Sequence, residues 1–394
     1  MKTLGYTVLA ALTIAGLGGL GTAILEGHGA LNTTQHVPWG LWVAFYIFFL
    51  GLSSGSFLLS TLVYVFGVKR LNPVGPLALL QALGCLILGG VVIVMDLGHP
   101  ARAYKVLTSF NPTSVMSWMG VFYSIYVAVI LAELYLALRP RFAVETGWLR
   151  RFALGSIRTD EAALARDRKW LKILGIIGIP VAILVTGGVG TLFAVAKARP
   201  GWFSGLFPIV FLVTALASGG ALLTFLVAAF SRLPAERKAC VVRDLARLSL
   251  GILCIDILML GSEILVTLYG NVPHESTGWR LTLFGPYWWV FWFVQIGLGF
   301  LIPLVIVSAP KARLGALGLA GFLMVTGIMG ARLNLVIPPQ IQPVFEGLAE
   351  AYHHERWQLG YFPSAAEWLA GIGVIAVGTW LFILARRVLP LEEA

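Results

Sequence analysis

Residues 39–67, WGLWVAFYIFFLGLSSGSFLLSTLVYVFG, decide the fold. The stretch holds no charged side chain, and roughly 20 helical residues suffice to cross a hydrocarbon core about 30 Å thick. Nine further apolar stretches of spanning length occur, at 5–25, 76–98, 115–138, 170–196, 206–231, 247–270, 285–309, 312–332 and 367–388. Across all 394 residues 58% are hydrophobic and 12% charged, with a mean hydropathy of +0.88, far from the composition of a water-soluble domain. A transmembrane β-barrel would show short alternating segments instead of continuous runs, and lipid admits only helices or closed barrels. The expected fold is therefore an all-α integral membrane protein with ten transmembrane helices. The first span reads as a retained helix, because its apolar run exceeds a secretory signal core and no A-x-A site follows it.

Basic residues set the expected orientation. One set of connections carries 21 of the 28 Lys and Arg residues, so that side and both termini are expected in the cytoplasm, with the chain in the cytoplasmic (inner) membrane. The other side holds Arg102, Lys105, Lys197, Arg199, Arg280, Arg332 and Arg356. The net charge of +10 thus reflects topology. Nucleic-acid binding is not implied, since the basic residues are spread over loops without interleaved aromatics. Cys85, Cys240 and Cys254 lack C-x-x-C spacing, two of them fall inside the expected helices, and buried free thiols are the ordinary reading.

The chain also resembles itself. Leu52-Ser-Ser-Gly55 followed by Leu58-Leu59 matches Leu216-Ala-Ser-Gly219 followed by Leu222-Leu223, and Thr186-Gly187 with Gly190 matches Thr326-Gly327 with Gly330. The matches keep their order. Within the single polytopic domain 1–394 this suggests two repeated four-helix bundles, 39–196 and 206–332, flanked by helix one and by the tenth helix at 367–388. Close packing of small residues in lipid is the competing explanation for the pattern.

Charges inside spans are costly and therefore candidates for function. Asp96 ends helix three, Glu133 lies in helix four, and Asp256 and Glu263 share helix seven. Seven residues apart, the last two fall on one face about 10 Å apart along the axis, which suits a proton path from Glu263 and Asp256 to Glu133. Pairing with neighbouring helices, or snorkelling for Glu133, is the structural alternative. On the outer side Asp96-Leu-Gly-His99-Pro-Ala-Arg102, Lys197-Ala-Arg199 and Arg332-Leu-Asn334 run against the charge bias. They suit a ligand with carbonyl or hydroxyl groups and an apolar tail, although anchoring at the interface would use the same residues. Trp39, Trp42, Trp118 and the run Tyr287, Trp288, Trp289, Trp292 lie at that side too, where aromatic belts are usual. An intramembrane haem held by two histidines is not expected, because His28, His36, His99, His274, His353 and His354 all fall in outer loops or at outer helix ends. His36 and His99 abut spans and are the two histidines kept as site candidates.

Pro38-Trp39-Gly-Leu-Trp42 leading to Gly55, Asp96-Leu-Gly-His-Pro-Ala-Arg102, Ser117-Trp118 and Ala217-Ser-Gly219 resemble the NrfD/PsrC (polysulfide-reductase-like) family. Arg332-Leu-Asn-Leu-Val-Ile-Pro338 and Tyr361-Phe-Pro-Ser-Ala-Ala-Glu367 resemble its ten-helix, HybB/DsrP-like branch. The resemblance covers most of the chain. It implies a quinone-interacting membrane subunit of a respiratory oxidoreductase complex, not catalytic alone, with menaquinone or ubiquinone as exchangeable substrate and no haem or iron–sulfur cluster in this chain. It further implies a ferredoxin-like multi-cluster iron–sulfur subunit on the outer face, with further catalytic or cytochrome subunits beyond it. On this reading Asp96, His99 and Glu263 are proton partners of the quinone, and His36, Trp39, Arg102, Trp118, Arg332 and Asn334 bind it. Turnover coupled to proton translocation follows if Glu133, Asp256 and Glu263 connect. A secondary ion or solute transporter and a purely structural anchor are the rival readings.

Overall fold

The computed structural model describes residues 2–144, 148–153, 161–199, 201–343, 347, 354 and 357–391. Arg158, His353 and Arg356 lie outside that set, as do the side chains of His28 and His274. Among the described residues there are helices and no strands, and ten helices are long and apolar enough to cross a membrane. They are α1 (Lys2–Glu26), α2 (Leu41–Tyr64), α3 (Gly75–Asp96), α4 (Val115–Val144), α5 (Glu161–Ala194), α6 (Phe207–Phe230), α7 (Ala235–Gly270), α8 (Val290–Leu301 continued by Ile302–Ser308), α9 (Leu314–Val336) and α10 (Ala365–Val388). An even number of spans brings both termini to one end, the terminal end. The opposite end is the distal end.

Three helices outrun their hydropathy. Expected at 115–138, 170–196 and 247–270, α4 and α7 extend to Val144 and back to Ala235, and α5 begins at Glu161. The added turns are polar and leave the apolar slab at the terminal end, where backbone pairing continues in water. Cys240 therefore sits on α7, contrary to the expectation that only two cysteines are helical. It is exposed and Cys254 half-exposed, so only Cys85 fits the buried-thiol reading. At the distal end α7 closes on Asn271 at φ 47°, a left-handed position that asparagine tolerates. The short helix Pro273–Phe284 follows, and the membrane span of α8 starts only at Val290 rather than at 285. Residues Val290–Leu301 are π-helical, a wider coil often found at functional positions.

α2 is the axis of the bundle, with 89% of its apolar window buried. It packs on α3, α5, α6, α9 and α10, whereas α1 rests chiefly on α10 and is mostly exposed. The α2–α6 crossing is a backbone contact. A side chain at Gly55 would strike the Ala215 carbonyl, and one at Gly219 would strike the backbone of Gly55 and Ser56. Gln81 of α3 locks the crossing by donating to Ser56 Oγ (2.5 Å) and to the Gly219 carbonyl (3.0 Å). At the terminal end α4 and α5 are joined by a buried ion pair, Arg139 Nε to Asp167 Oδ2 at 2.8 Å.

Because both partners at the crossing are rigid backbone, Gly219→Val is expected to cost at least about 1–3 kcal/mol, the range for overpacking a filled core. Gly251→Ala, where a Cβ meets nothing within 4 Å, should leave stability unchanged or raise it by about 0.4–1 kcal/mol. Thermal unfolding of the detergent-solubilised chain compares the two.

Candidate functional site

The distal half contains a cavity of about 100 Å³ between α6, α7, α8, α9 and the short helix Pro273–Phe284. Its polar lining comprises Thr214, Asp256, Glu263, Glu275, Thr282, Gln295, Arg332 and Asn334, set among Phe207, Leu260, Trp279, Phe291, Leu335 and Pro339. Four of the residues singled out from the sequence, Asp256, Glu263, Arg332 and Asn334, thus share one space.

Arg332 is the unusual group. It is 3% exposed, its guanidinium carbon stands 4.4 Å from the centre of the Phe211 ring, and its Nε has no hydrogen-bond partner among the described residues. A desolvated cation stacked on an aromatic face gains about 2 kcal/mol, less than it loses in solvation, so the remaining compensation must come from the cavity side. Asp256 supplies part of it within electrostatic reach, while accepting a hydrogen bond from Thr214 Oγ1 at 3.0 Å. Opposite, Asn334 Nδ2 donates to Gln295 Oε1 at 2.8 Å. That bond leaves the Gln295 amide nitrogen and the second Asn334 N–H as donors, and the Asn334 carbonyl as an acceptor, for a guest. The π-helical turns of α8 carry Gln295 into this position. Chemically the cavity offers a buried cation, an amide pair, carboxylates and flat apolar walls, which together suit a planar head group with two oxygen substituents.

The distal rim is a polar clasp. Arg199 donates to the Gln340 and Gln342 carbonyls (2.9 and 3.3 Å) and to the His36 carbonyl (2.8 Å). Gln340 exchanges hydrogen bonds with the backbone of Trp39 (3.1 and 2.7 Å), and Trp39 stacks on Trp202, whose indole donates to the Leu335 carbonyl at 2.7 Å. Glu367, 1% exposed, receives Tyr361 Oη at 2.5 Å, Ser364 N–H at 2.8 Å and Asn32 N–H at 3.1 Å. Burial and this carboxylate push the Tyr361 phenol well above its usual range. His36 and Trp39 thus stand in the clasp beside the cavity rather than on its lining.

The other sequence candidates lie elsewhere. His99 and Arg102 are exposed at the distal end, after α3, and Asp96 is within electrostatic reach of Glu367. Trp118 is 41% exposed, packs against Phe110 and Phe122 and donates to the Pro112 carbonyl. Glu133 is fully buried, so it does not snorkel, and among the described residues both its oxygens lack partners. It packs against α5 at Gly175, away from the cavity lining. Sequence reading missed Phe211, Thr214, Gln295, Gln340 and Glu275. Gln295 alone carried a signal, as the single amide in the apolar run 285–309. Among the described residues no group of three His, Cys, Asp or Glu side chains is placed to hold a metal ion.

His36 generates a prediction. Burial, and then the Arg199 charge, lower its pKa below the ordinary 6.5. The folded state then binds fewer protons than the unfolded chain just below pH 6.5, so the neutral imidazole's contribution is intact above that pH and declines as pH falls. The thermal midpoint should drop on acidification from pH 7 to 5 with a slope of at most about 1.4 kcal/mol per pH unit from this group. His36→Gln should flatten that part of the profile.

The residues from 29 to 344 match the family model described as Polysulphide reductase, NrfD. The chain is 38% identical to a selenate reductase subunit of Mesobacillus selenatarsenatis over 99% of its own length and 94% of that protein. It is 29% identical to the Hdr-like menaquinol oxidoreductase integral membrane subunit of Archaeoglobus fulgidus, over 98% and 92% of the two chains. Ten apolar spans and a match across most of the length lead to one assignment: the chain belongs to the polysulphide reductase NrfD family.

Proposed function

We propose that this chain is the quinone-reactive membrane subunit of a reductase complex, and that a menaquinone-type head group occupies the Arg332 cavity. The single observation that carries the reading is a buried guanidinium, stacked on Phe211 and without a partner for Nε among the described residues, on a side chain that lines the cavity. A quinone supplies the missing acceptor. Arg332 donates to one ring oxygen, the Gln295–Asn334 amide pair meets the other, and the Phe207, Phe291 and Trp279 side chains pack on the ring faces. Asp256, held by Thr214, accepts a proton from the quinol hydroxyl beside it, and Glu263 stands about 10 Å further along α7 toward the distal end. The names of relatives, a selenate reductase subunit and a menaquinol oxidoreductase subunit, support the same class of complex.

The electrons pass, in this proposal, to an iron–sulfur subunit docked at the distal end, where His99, Arg102 and the exposed side chains of Tyr104 and Phe110 are presented. The charge bias supports an orientation with that end outside the cytoplasm and the termini within it. Glu133 is a candidate for proton coupling only through a connection to Asp256 that crosses from one half of the bundle to the other.

Removal of Arg332 tests the reading. Losing a hydrogen bond from a charged group costs about 1.5–3 kcal/mol, which is roughly a 10-fold to 100-fold loss of affinity. Arg332→Ala is therefore expected to weaken binding of a fluorescent quinol analogue by that factor, and Arg332→Lys by less, with thermal stability monitoring the fold. Unchanged binding in a folded Arg332→Ala protein would overturn the assignment.

A further inference from the structure

We infer that Glu275, on the short helix Pro273–Phe284, is the group through which protons freed in the cavity leave to the distal aqueous phase. The inference rests on the quinone reading and starts from the arrangement of carboxylates along one wall. Asp256 is 9% exposed within electrostatic reach of Arg332, Glu263 is half-buried two turns further along α7, and Glu275 is half-buried on an element outside the spanning helices. All three line the same cavity as the unpartnered Arg332 Nε, and Glu263 and Glu275 are within electrostatic reach of each other. The cation and its nearest carboxylate are thus buried, and the two carboxylates nearer the distal end are half-buried.

The chemistry requires such an exit. Oxidation of one quinol breaks two O–H bonds, sends two electrons to the iron–sulfur acceptor and leaves two protons to be removed for each turnover. Carboxylates can accept and pass on those protons only if the last one meets water. Of the three, Glu275 alone comes from a segment outside the spanning helices, the short helix Pro273–Phe284 at the distal end. Its side chain shares the cavity wall with Trp279 and Thr282 of the same helix. In the opposite direction, among the described residues, no further carboxylate continues the lining beyond Asp256. Glu133, buried toward the terminal end, packs at Gly175 between α4 and α5 and is not part of the cavity. The carboxylates therefore lead outward to the distal face.

A merely structural role is the alternative, because Glu275 stands in the first turn of its helix, where a carboxylate also favours the helix dipole. The two are separable in the intact complex reconstituted into vesicles with a quinol donor and an external pH dye. If Glu275 is the exit, Glu275→Gln lowers turnover about 10-fold or more, leaves affinity for the quinol analogue within about twofold of the parent, and raises the solvent isotope effect. Added formate, a small permeant weak acid, restores part of the rate, and Glu275→Asp keeps most of it. Protons appear on the side that the distal face presents. Unchanged turnover in Glu275→Gln overturns the inference, and so does a loss of turnover that comes with weakened quinol binding and no formate rescue. Failure of the quinone reading looks different: Arg332→Ala would then bind the analogue normally, whatever Glu275 does.

Discussion

The contact of bare backbone between α2 and α6, at Gly55 and Gly219, is the constraint on which the arrangement rests. Water supplies no force to pack helices within lipid, so close approach and interhelical hydrogen bonds must do so. Gln81, with its amide on Ser56 Oγ and the Gly219 carbonyl, adds such a bond across three helices at this point. Once α6 is pressed on α2, the turns of α6 next to the contact are committed. Phe211 lies beneath the Arg332 guanidinium and Thr214 reaches Asp256, while α9 is held against both α2 and α6. The cavity lies beside this contact, bounded by α6, α7, α8 and α9.

Arg332 carries the larger energetic burden. An unpaired guanidinium in an apolar interior is untenable without partners, and the protein provides an aromatic face and a nearby carboxylate but leaves Nε bare. Buried polar groups that lack partners are uncommon in folded proteins and often mark a place where a ligand completes the set. The Gln295–Asn334 pair has the same character, with hydrogen-bonding capacity left over after its internal bond. The rim differs in kind: Arg199, Gln340, Tyr361 and Glu367 form dense hydrogen bonds with their surroundings, and so fix the distal loops around the opening.

Ten helices were legible because lipid imposes a length and a polarity that no soluble fold repeats ten times. The ends were less so. Hydropathy stops where the hydrocarbon stops, whereas α4, α5 and α7 continue in water, and the short helix carrying Glu275 is too polar to register as a span. In the site, Asp256, Glu263, Arg332 and Asn334 stood out as costly polar residues in spans, and their convergence required the fold. Phe211 and Thr214 left no trace, since each is an ordinary residue of an apolar helix until α9 and α7 are placed opposite. Asp96, His99 and Arg102 form the sharpest polar motif in the chain, yet they lie at and just after the end of α3, a helix that packs on α10, and not on the cavity lining. Adjacency in sequence could not separate a surface motif from a lining one.

The central claim is that a quinone head group sits against Arg332, within the second half of the bundle. Photolabelling of the membrane-embedded complex with an azido-substituted naphthoquinone, followed by peptide mapping, tests it most directly. Adducts are predicted on residues 207–214 and 331–339, suppressed by excess quinol and lost in Arg332→Ala. Labelling confined to residues 96–110, with none on α6 or α9, would contradict the claim.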